Sequence, residues 1–423
     1  MKFTAKIVGL LNGLQPAFGV ADAGAKQEYP DAGKVSLIVK STSLVAEAHN
    51  GSVAITSDLK DESNLDYVHQ SDGSITLTAK DLNNTLSSFS KDEVVTVELV
   101  GTELVLTPQS DPEKLQTVPT AVSEVEMPTV AVTYSKEAKI NKNVLVQAMS
   151  NTLFAIGFEK NRPEFYYWKL EVSPKKLRLF TGDGGRFPVY DVEGDNVVDT
   201  TSASTFLLYK EHNASLQKVL SLSDVNQVVV KEFKRDKSST DSVPDQFVVT
   251  IGNNTLVLIG HDSGVVYPDE NQFLQRANNY KILTKASDWD KEFTGVLATY
   301  NDDVRSQNSV HVTVLNFDLK KGIITLNASA TMRAVRKVKI LDSSVVAGHP
   351  DVVEFRVLSN ILKDCIKQAR GGNIQMELVD GKAAMLVKYF VGDQIQSGPF
   401  TRENKTEGTT EQYTMFFGAY NKK

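Results

Sequence analysis

The residues best suited to chemistry lie in one short stretch of the chain, Leu177–Val189. Its centre reads Asp183, Gly184, Gly185 and Arg186. Adjacent glycines can wrap a phosphate, and a carboxylate close to a guanidinium could act as an acid–base pair. No helical pattern and no Lys-Ser or Lys-Thr pair follows the glycines, which argues against a phosphate loop. A carboxylate at the start of a turn usually accepts hydrogen bonds from the turn itself. The stretch therefore predicts a β-hairpin that is stabilised by Asp183.

The other reactive side chains do not form a recognisable catalytic set. The single cysteine, Cys365, is flanked by Ile361, Leu362 and Ile366, which predicts a buried thiol on a helix. The sequence has no HExxH, GxSxG or Walker motif and no paired cysteines. Six histidines lie far apart without metal-ligand spacing, at His49, His69, His212, His261, His311 and His349. We therefore expect a protein that is not an enzyme and that needs no metal or other cofactor.

Composition and charge narrow the class of protein further. The chain has 423 residues, of which 41 % are hydrophobic and 23 % charged, and its net charge is −6. These values are typical of globular domains, and the acidic balance argues against a protein that coats nucleic acid through its overall charge. A basic surface on one part of the protein is still compatible with this negative net charge. No apolar run has the length of a signal peptide or a membrane span, so we expect a soluble cytoplasmic protein without membrane contact.

The elements that must position these residues recur along the chain. Three similar segments, which are predicted to be strand, turn and strand, begin at Val97, Val248 and Met376. A helical pattern precedes each of them, and a second helical pattern opens each third of the chain. Self-similarity at a period of roughly 130–150 residues predicts three copies of one domain. We expect an α+β fold in which each domain packs two helices on antiparallel sheet, with domains at 1–127, 128–283 and 284–423. Residues 108–128 are predicted to be a linker.

Four segments of the chain resemble a known protein family. Met1–Thr4 resembles its opening residues, and Leu177–Arg186 resembles its second-domain "AxDGHRL" segment. Tyr267–Asp269 is similar to its "FPDY" turn, and Tyr413–Phe417 resembles its C-terminal strand. The family is the bacterial replicative sliding clamp, the beta subunit of DNA polymerase III. Gly185, Phe187 and Gln272 depart from its pattern, which indicates a diverged member of bacterial or phage origin.

The resemblance implies a function and a set of partners. The protein would form a head-to-tail homodimer, a closed ring that encircles double-stranded DNA without reading its sequence. It would tether the DNA polymerase and the clamp loader through short linear peptide motifs, in the cytoplasm at the nucleoid. The alternative from another class is a β-rich structural or scaffold protein with no role in tethering DNA. That alternative fits the composition but leaves the repeated pairs of helices unexplained.

The resemblance also implies two sets of site residues. The helix faces that point away from the sheet would line the DNA channel with basic residues. These are Lys6, Lys80, Lys91, Lys139, Lys142, Lys210, Lys218, Lys285, Lys291, Lys363, Lys367 and Arg370. A hydrophobic groove between the second and third domains would bind the partner peptides. Its residues would be Phe165, Gly184, Arg186, Phe187, Pro268, Phe273, Lys382, Met415, Phe416 and Phe417.

Overall fold

A computed structural model gives the architecture of most of the chain. It describes residues 1–22, 29–60, 62–121, 124–131, 133–157, 163–233, 245–259, 265–269, 278–298, 311–329, 333–368, 372–378, 384–390, 402–404 and 409–418. The α-helices in these ranges are α1 (Ile7–Asp22), α2 (Ala79–Ser87), α3 (Lys142–Thr152), α4 (Asn213–Leu222), α5 (Ala286–Leu297) and α6 (Ser359–Gln368). Short 3-10 helices lie at Pro112–Lys114, Leu153–Ala155, Pro163–Tyr166 and Lys210–His212.

The same ranges contain 27 strands. The first nine are β1 (Lys2–Lys6), β2 (Lys34–Lys40), β3 (Ser43–His49), β4 (Val53–Asp58), β5 (Val68–Ser71), β6 (Gly73–Thr78), β7 (Val94–Val100), β8 (Glu103–Pro108) and β9 (Gln116–Pro119). The next nine are β10 (Lys136–Asn141), β11 (Tyr167–Ser173), β12 (Lys176–Phe180), β13 (Arg186–Glu193), β14 (Val198–Asp199), β15 (Ser204–Tyr209), β16 (Gln227–Phe233), β17 (Gln246–Ile251) and β18 (Asn254–Leu258). The last nine are β19 (Tyr280–Lys285), β20 (Val312–Asp318), β21 (Ile323–Ser329), β22 (Arg333–Val345), β23 (Val352–Leu358), β24 (Asn373–Leu378), β25 (Ala384–Phe390), β26 (Arg402–Asn404) and β27 (Thr409–Gly418).

One order of elements recurs through the described part of the chain. A strand runs directly into a helix, and three further strands follow. This order begins at β1, β6, β10, β15, β19 and β23. The described chain combines these helices with antiparallel sheets, so the predicted α+β class is confirmed. None of the helices in the described ranges is long and apolar enough to cross a membrane.

The chain folds into two compact units, and each unit is built from two separate segments. Unit 1 comprises residues 1–146 and 206–264, and unit 2 comprises residues 147–205 and 265–423. The chain passes between the units three times, within α3, within β15 and after residue 264. The predicted middle domain, 128–283, therefore contributes residues to both units. The three predicted domain boundaries remain a prediction.

Unit 1 contains two antiparallel sheets. One has the order β5-β1-β7-β8-β9, and the other runs β10-β16-β17-β18-β4-β3-β2-β6. Helix α1 packs against β3, β4, α2 and α4, and its side chains are buried on most sides. Gly9 is essential to this packing, because a Cβ there would lie 2.3 Å from the Cα of Leu65. The backbone of α1 therefore comes close to its neighbours, which increases its contact area.

Two details of unit 1 differ from the predictions. The helical spacing of apolar residues in Ala5–Phe18, with Pro16 near its end, predicts a helix there, and the observed helix continues to Asp22 with Pro16 in its interior. Burial of the flanking turns offsets the one hydrogen bond that proline removes. The predicted linker 108–128 contains a strand, β9, which pairs with β8. Only Val118 is buried in this strand, so tertiary pairing decides its conformation and the local pattern does not.

Residues 126–131 and 133–135 have no regular secondary structure and lie along the second sheet of unit 1, and we call them together the strap. The backbone N–H of Glu126 donates to Asp31 at 2.9 Å, and its carbonyl accepts from His49 Nδ1 at 2.9 Å. Tyr29 Oη makes a short contact with the same Nδ1. His49 is only 7 % exposed, and its Nε2 has no hydrogen-bond partner among the described residues. A charged His49 would therefore bury an unpaired N–H.

We expect His49 to make the protein less stable in mild acid. Burial lowers the pKa of His49, and the Glu126 carbonyl and the nearby acidic groups offset this only partly. As the pH falls through the unfolded value of about 6.5, the unfolded chain binds a proton that the folded chain does not, so stability falls. The slope from one such proton is at most about 1.4 kcal/mol per pH unit. Urea denaturation between pH 7 and 5 should give a shallower pH dependence for His49→Gln than for the wild type. Equal slopes would contradict this expectation.

Unit 2 contains one long, continuous antiparallel arrangement of strands. Its order is β11-β12-β13-β27-β25-β24-β19-β22-β21-β20-β23, and β26 pairs with β27. Helix α5 packs against β19, β21, β22 and α6. It buries Trp289, Phe293 and Val296 on the face toward the sheet. On α6, Ile361, Leu362, Cys365 and Ile366 are buried, as the sequence predicts, and Cys365 is not in a disulfide.

Candidate functional site

The predicted hairpin is present in unit 2 and is formed by β12 and β13. The two strands pair in register from Lys176 with Glu193 to Phe180 with Val189. The turn closes with a hydrogen bond from the Asp183 N–H to the Arg186 carbonyl at 3.2 Å. Gly184 has φ +85°, a conformation that a residue with a Cβ rarely adopts. Asp183 Oδ1 accepts from the N–H groups of Gly185 and Arg186, both at 3.0 Å. Asp183 therefore stabilises the turn, as predicted.

Arg186 anchors this hairpin to two other elements of unit 2. Its Nε donates to Asp183 Oδ2 at 2.7 Å, and its Nη1 forms a short ion pair with Asp364 on α6. Its Nη2 donates to the carbonyl of Phe154 at 2.7 Å, and the guanidinium lies 5.1 Å from the centre of the Phe154 ring. Burial alone would lower the pKa of Arg186, but Asp183 and Asp364 outweigh it and raise the pKa. Arg186 is therefore permanently charged and held by three partners.

An aromatic cluster lies directly beside this anchor. Phe165, Phe180, Phe187 and Val189 are buried together, and Tyr267 packs against them. The Phe187 ring lies 5.4 Å from that of Phe165, edge to face, and 6.1 Å from that of Phe180, stacked. Both geometries are favourable for aromatic pairs. We expected Phe187 to be the wall of an open pocket, but it is only 5 % exposed. In this structure it lies within the packed cluster.

Two glycines that the sequence analysis did not single out make room for this cluster. A Cβ at Gly182 would lie 2.3 Å from Cδ1 of Phe187, and a Cβ at Gly157 would lie 2.7 Å from Cβ of Phe165. Neither glycine has a positive φ, so the requirement is one of space. The only signal in the sequence is the position of Gly182 directly before the turn. That position alone does not reveal which ring packs on it.

The C-terminal strand completes this region by pairing with the hairpin. β27 pairs with β13, so that Arg186, Phe187 and Pro188 are opposite Phe417, Phe416 and Met415. Strand β13 is therefore paired on both sides, although a proline within a strand is typical of a sheet edge. The Pro188 carbonyl accepts from the Thr181 N–H at 3.4 Å. The N–H and C=O of a strand residue point to the same side, so the N–H that Pro188 lacks would also face β12. The missing hydrogen bond therefore lies at the end of the β12–β13 pairing that is nearest the turn.

The predicted groove residues are thus partly brought together. Phe165, Gly184, Arg186 and Phe187 adjoin one another, and the backbone of Met415, Phe416 and Phe417 lies alongside them. Pro268 is half-buried and follows Tyr267, which packs on the cluster. Phe273 and Lys382 lie outside the described residues. The role of all ten residues in binding peptides remains a prediction.

The predicted DNA-channel residues fall into three groups. Lys80, Lys291, Lys363 and Lys367 lie on α2, α5 and α6, are exposed, and form no ion pair within the described ranges. Lys142, Lys210 and Lys218 lie on or beside α3 and α4. Lys142 donates to the Ser223 carbonyl, and burial lowers the pKa of Lys210. The stem of Lys218 lies over Gly19 of α1.

The third group lies outside the helices. This differs from the prediction, which places all twelve residues on helix faces. Lys6, Lys139 and Lys285 are in β1, β10 and β19, and Lys91 follows α2. Lys6 pairs with Asp92 at 2.9 Å, and this hydrogen bond raises the pKa of Lys6. Buried and more exposed residues alternate along Lys136–Asn141, which is typical of a strand. The helix α3 begins only after this segment. Arg370 lies outside the described residues.

Comparison with known proteins identifies similar folds at low sequence identity. No protein-family model and no curated protein matches the sequence. The DNA polymerase sliding clamp of Caulobacter crescentus superposes with a TM-score of 0.76 at 15 % identity, over 100 % of both chains. That of Bacillus subtilis gives 0.75 at 13 % over 100 % of both chains. A clamp from Pseudomonas aeruginosa, solved bound to griselimycin, gives 0.73 at 17 % with the same coverage. The chain therefore has the fold of the bacterial DNA polymerase III beta subunit along its whole length.

Proposed function

We propose that this protein is a DNA sliding clamp, which encircles duplex DNA and tethers a polymerase to it. The observation that supports this most strongly is the fold, which matches those of bacterial sliding clamps over the full length of both chains. The order of a strand, a helix and three strands begins six times in the described chain. In this proposal the six repeats pair into three domains, 1–127, 128–283 and 284–423. Two copies of the chain form a ring in this proposal, with the helices lining its hole.

The charge distribution supports sliding rather than a fixed grip on DNA. Exposed lysines on α2, α5 and α6 offer positive charge, while the chain as a whole has a net charge of −6. On α5, Asp288, Asp290 and Glu292 weaken the local field around Lys291. Few contacts to phosphates give weak, salt-sensitive and sequence-independent attraction. We infer that the ring holds DNA by enclosing it, without catalysis and without a cofactor.

The aromatic cluster and its hairpin are our candidate for the site that binds partner peptides. A peptide that binds beside β13 and β27 would meet an apolar cluster, the fixed charge of Arg186 and the turn at Gly184. Apolar sites with a few placed polar groups are typical of peptide recognition. In this proposal the polymerase and the clamp loader bind here through short linear motifs. The other predicted groove residues, from Pro268 to Phe417, would extend the same surface.

Loading on circular DNA tests the proposed function directly. The protein should sediment as a dimer, at about twice the chain mass of 46.5 kDa. Loaded on nicked circular duplex at moderate salt, it should stay bound, and linearising the DNA should release nearly all of it. Only a ring can slide off an end, so the uncut circle is the matched control. Retention on the linear form, or a monomer in solution, would contradict the proposal.

A further inference from the structure

The strap of unit 1 is held in the way that an extended peptide ligand is held. Gln246, which is 1 % exposed, accepts from the backbone N–H of Ala131 at 2.9 Å through Oε1. The Nε2 of the same side chain donates to the carbonyl of Thr129. One buried amide thus binds a donor and an acceptor of the strap two residues apart. Main-chain hydrogen bonds of this kind are how proteins recognise extended peptides of varied sequence.

The ends of the strap are held by other groups of unit 1. At one end, Asp31 and His49 bind the N–H and the carbonyl of Glu126. At the other end, the carbonyl of Glu232 accepts from Ser135, from the backbone N–H at 2.8 Å and from Oγ at 2.9 Å. The described strap residues belong to no strand. Side chains of Asp31, His49 and Gln246 therefore make four of the six hydrogen bonds named here, and the Glu232 carbonyl accepts the other two.

Beneath the strap lies an apolar row on the second sheet of unit 1. Val248, Val257 and Ala54 are directly opposite one another in the register of β17, β18 and β4. Met127 and Tyr134 of the strap pack against this row, together with Ile259. All three residues of the row are at most 3 % exposed. Without the strap, the row would be an open apolar surface beside the buried amide of Gln246.

This arrangement resembles that of the aromatic cluster in unit 2. There, Tyr267 comes from the segment that follows β18 and packs on an apolar cluster beside the paired strands β13 and β27. In unit 1, Tyr134 comes from the segment that follows β9 and packs beside the paired strands β18 and β4. The two units thus offer similar surfaces, and in unit 1 the surface is covered by the chain itself.

We propose that this face of unit 1 is a second peptide-binding surface, which the chain's own strap occupies. Its ligand class is an extended peptide with two bulky apolar anchors seven residues apart, as Met127 and Tyr134 are. The Gln246 amide binds the peptide backbone between these anchors. A partner segment of that chemistry binds when it displaces the strap. The inference rests on contacts within unit 1 and is independent of the proposed role on DNA.

A labelled synthetic peptide with the sequence of residues 125–136 tests the inference. We expect wild-type protein to bind it weakly, because the strap fills the surface. A variant with Met127→Ser and Tyr134→Ser should bind it at least tenfold more tightly, by fluorescence anisotropy. Adding Gln246→Ala to that variant should abolish the gain. A folded strap variant that binds no better than wild type, or a gain that survives Gln246→Ala, would overturn the proposal.

Hydrogen exchange in the wild-type protein gives a second test, which needs no variant to fold. A strap that can be displaced must open without global unfolding. We expect the amides of Glu126 and Ala131 to exchange at least a hundredfold faster than those of the β17 ladder, such as Val249. Equally slow exchange at both places would show that the strap is an integral part of the core, and the proposal would fail.

Discussion

Replacing Phe187 with alanine is expected to lower the free energy of unfolding of unit 2 by about 3–5 kcal/mol, which is the usual cost of removing a buried phenylalanine. The ring is 5 % exposed and contacts the rings of Phe165 and Phe180, so its loss leaves a cavity that rigid neighbours cannot fill. Both tryptophans, Trp168 and Trp289, are buried in unit 2. Their fluorescence during urea denaturation therefore reports the stability of this unit.

Phe187→Leu is the matched control, because it keeps an apolar side chain at the same place. We expect it to cost clearly less than Phe187→Ala, because it removes fewer buried atoms and leaves a smaller cavity. If Phe187→Ala cost no more than this control, Phe187 would be a pocket wall exposed to solvent, and the packing described here would be wrong. A large loss would confirm that Phe187 is packed within the cluster, beneath the surface that we propose binds peptides. In that case, partners would contact residues that lie above it.

Reversing the charge of two helix lysines is expected to reduce loading on nicked circular DNA at least tenfold. Lys80 on α2 and Lys367 on α6 are exposed and form no ion pair within the described ranges. Lys80→Glu with Lys367→Glu removes two cations and adds two anions where the proposal places phosphates. Each lost phosphate contact should reduce the salt dependence of binding by about one unit of slope. Retention of DNA at several salt concentrations measures both the amount of protein loaded and the slope of its salt dependence.

The control for this variant changes the charge equally at another place. Lys40, at the end of β2, and Lys60, after β4, are also exposed. Lys40→Glu with Lys60→Glu should change loading less than twofold, since surface charges rarely affect folding. If both variants lost loading to the same degree, overall charge would explain the effect and the helices would have no special role.

The sequence predicted the parts of this structure that depend on neighbours along the chain. The turn at Asp183 and Gly184 was predictable because the carboxylate and the glycine act within four residues. The buried face of α6, including Cys365, follows from helical spacing alone. The fold class also followed, because the same pattern occurs three times. In each case a local rule and the tertiary structure agree.

The contacts that complete the candidate sites join residues far apart in sequence. Asp364 is 178 residues from Arg186, and Gln246 is 115 residues from Ala131. No local pattern indicates either pair. Strand β9 was missed for a similar reason, since its pairing with β8 outweighs a sequence that reads as a linker. The burial of Phe187 depends on Gly182, whose role is visible only when the ring that packs on it is known.

The position of β27 has a consequence for how the protein is made in the cell. β13 emerges from the ribosome with β12 on one side, but its other neighbour lies more than 200 residues further along the chain, at Thr409–Gly418. At about 5–20 residues per second, that interval lasts about 10 seconds or longer. During it, the backbone of β13 is an open edge that can pair with other nascent chains. We therefore expect unit 2 to depend on chaperones during synthesis. Unit 1 shares this exposure, because β4 must wait for its neighbour β18 at Asn254–Leu258.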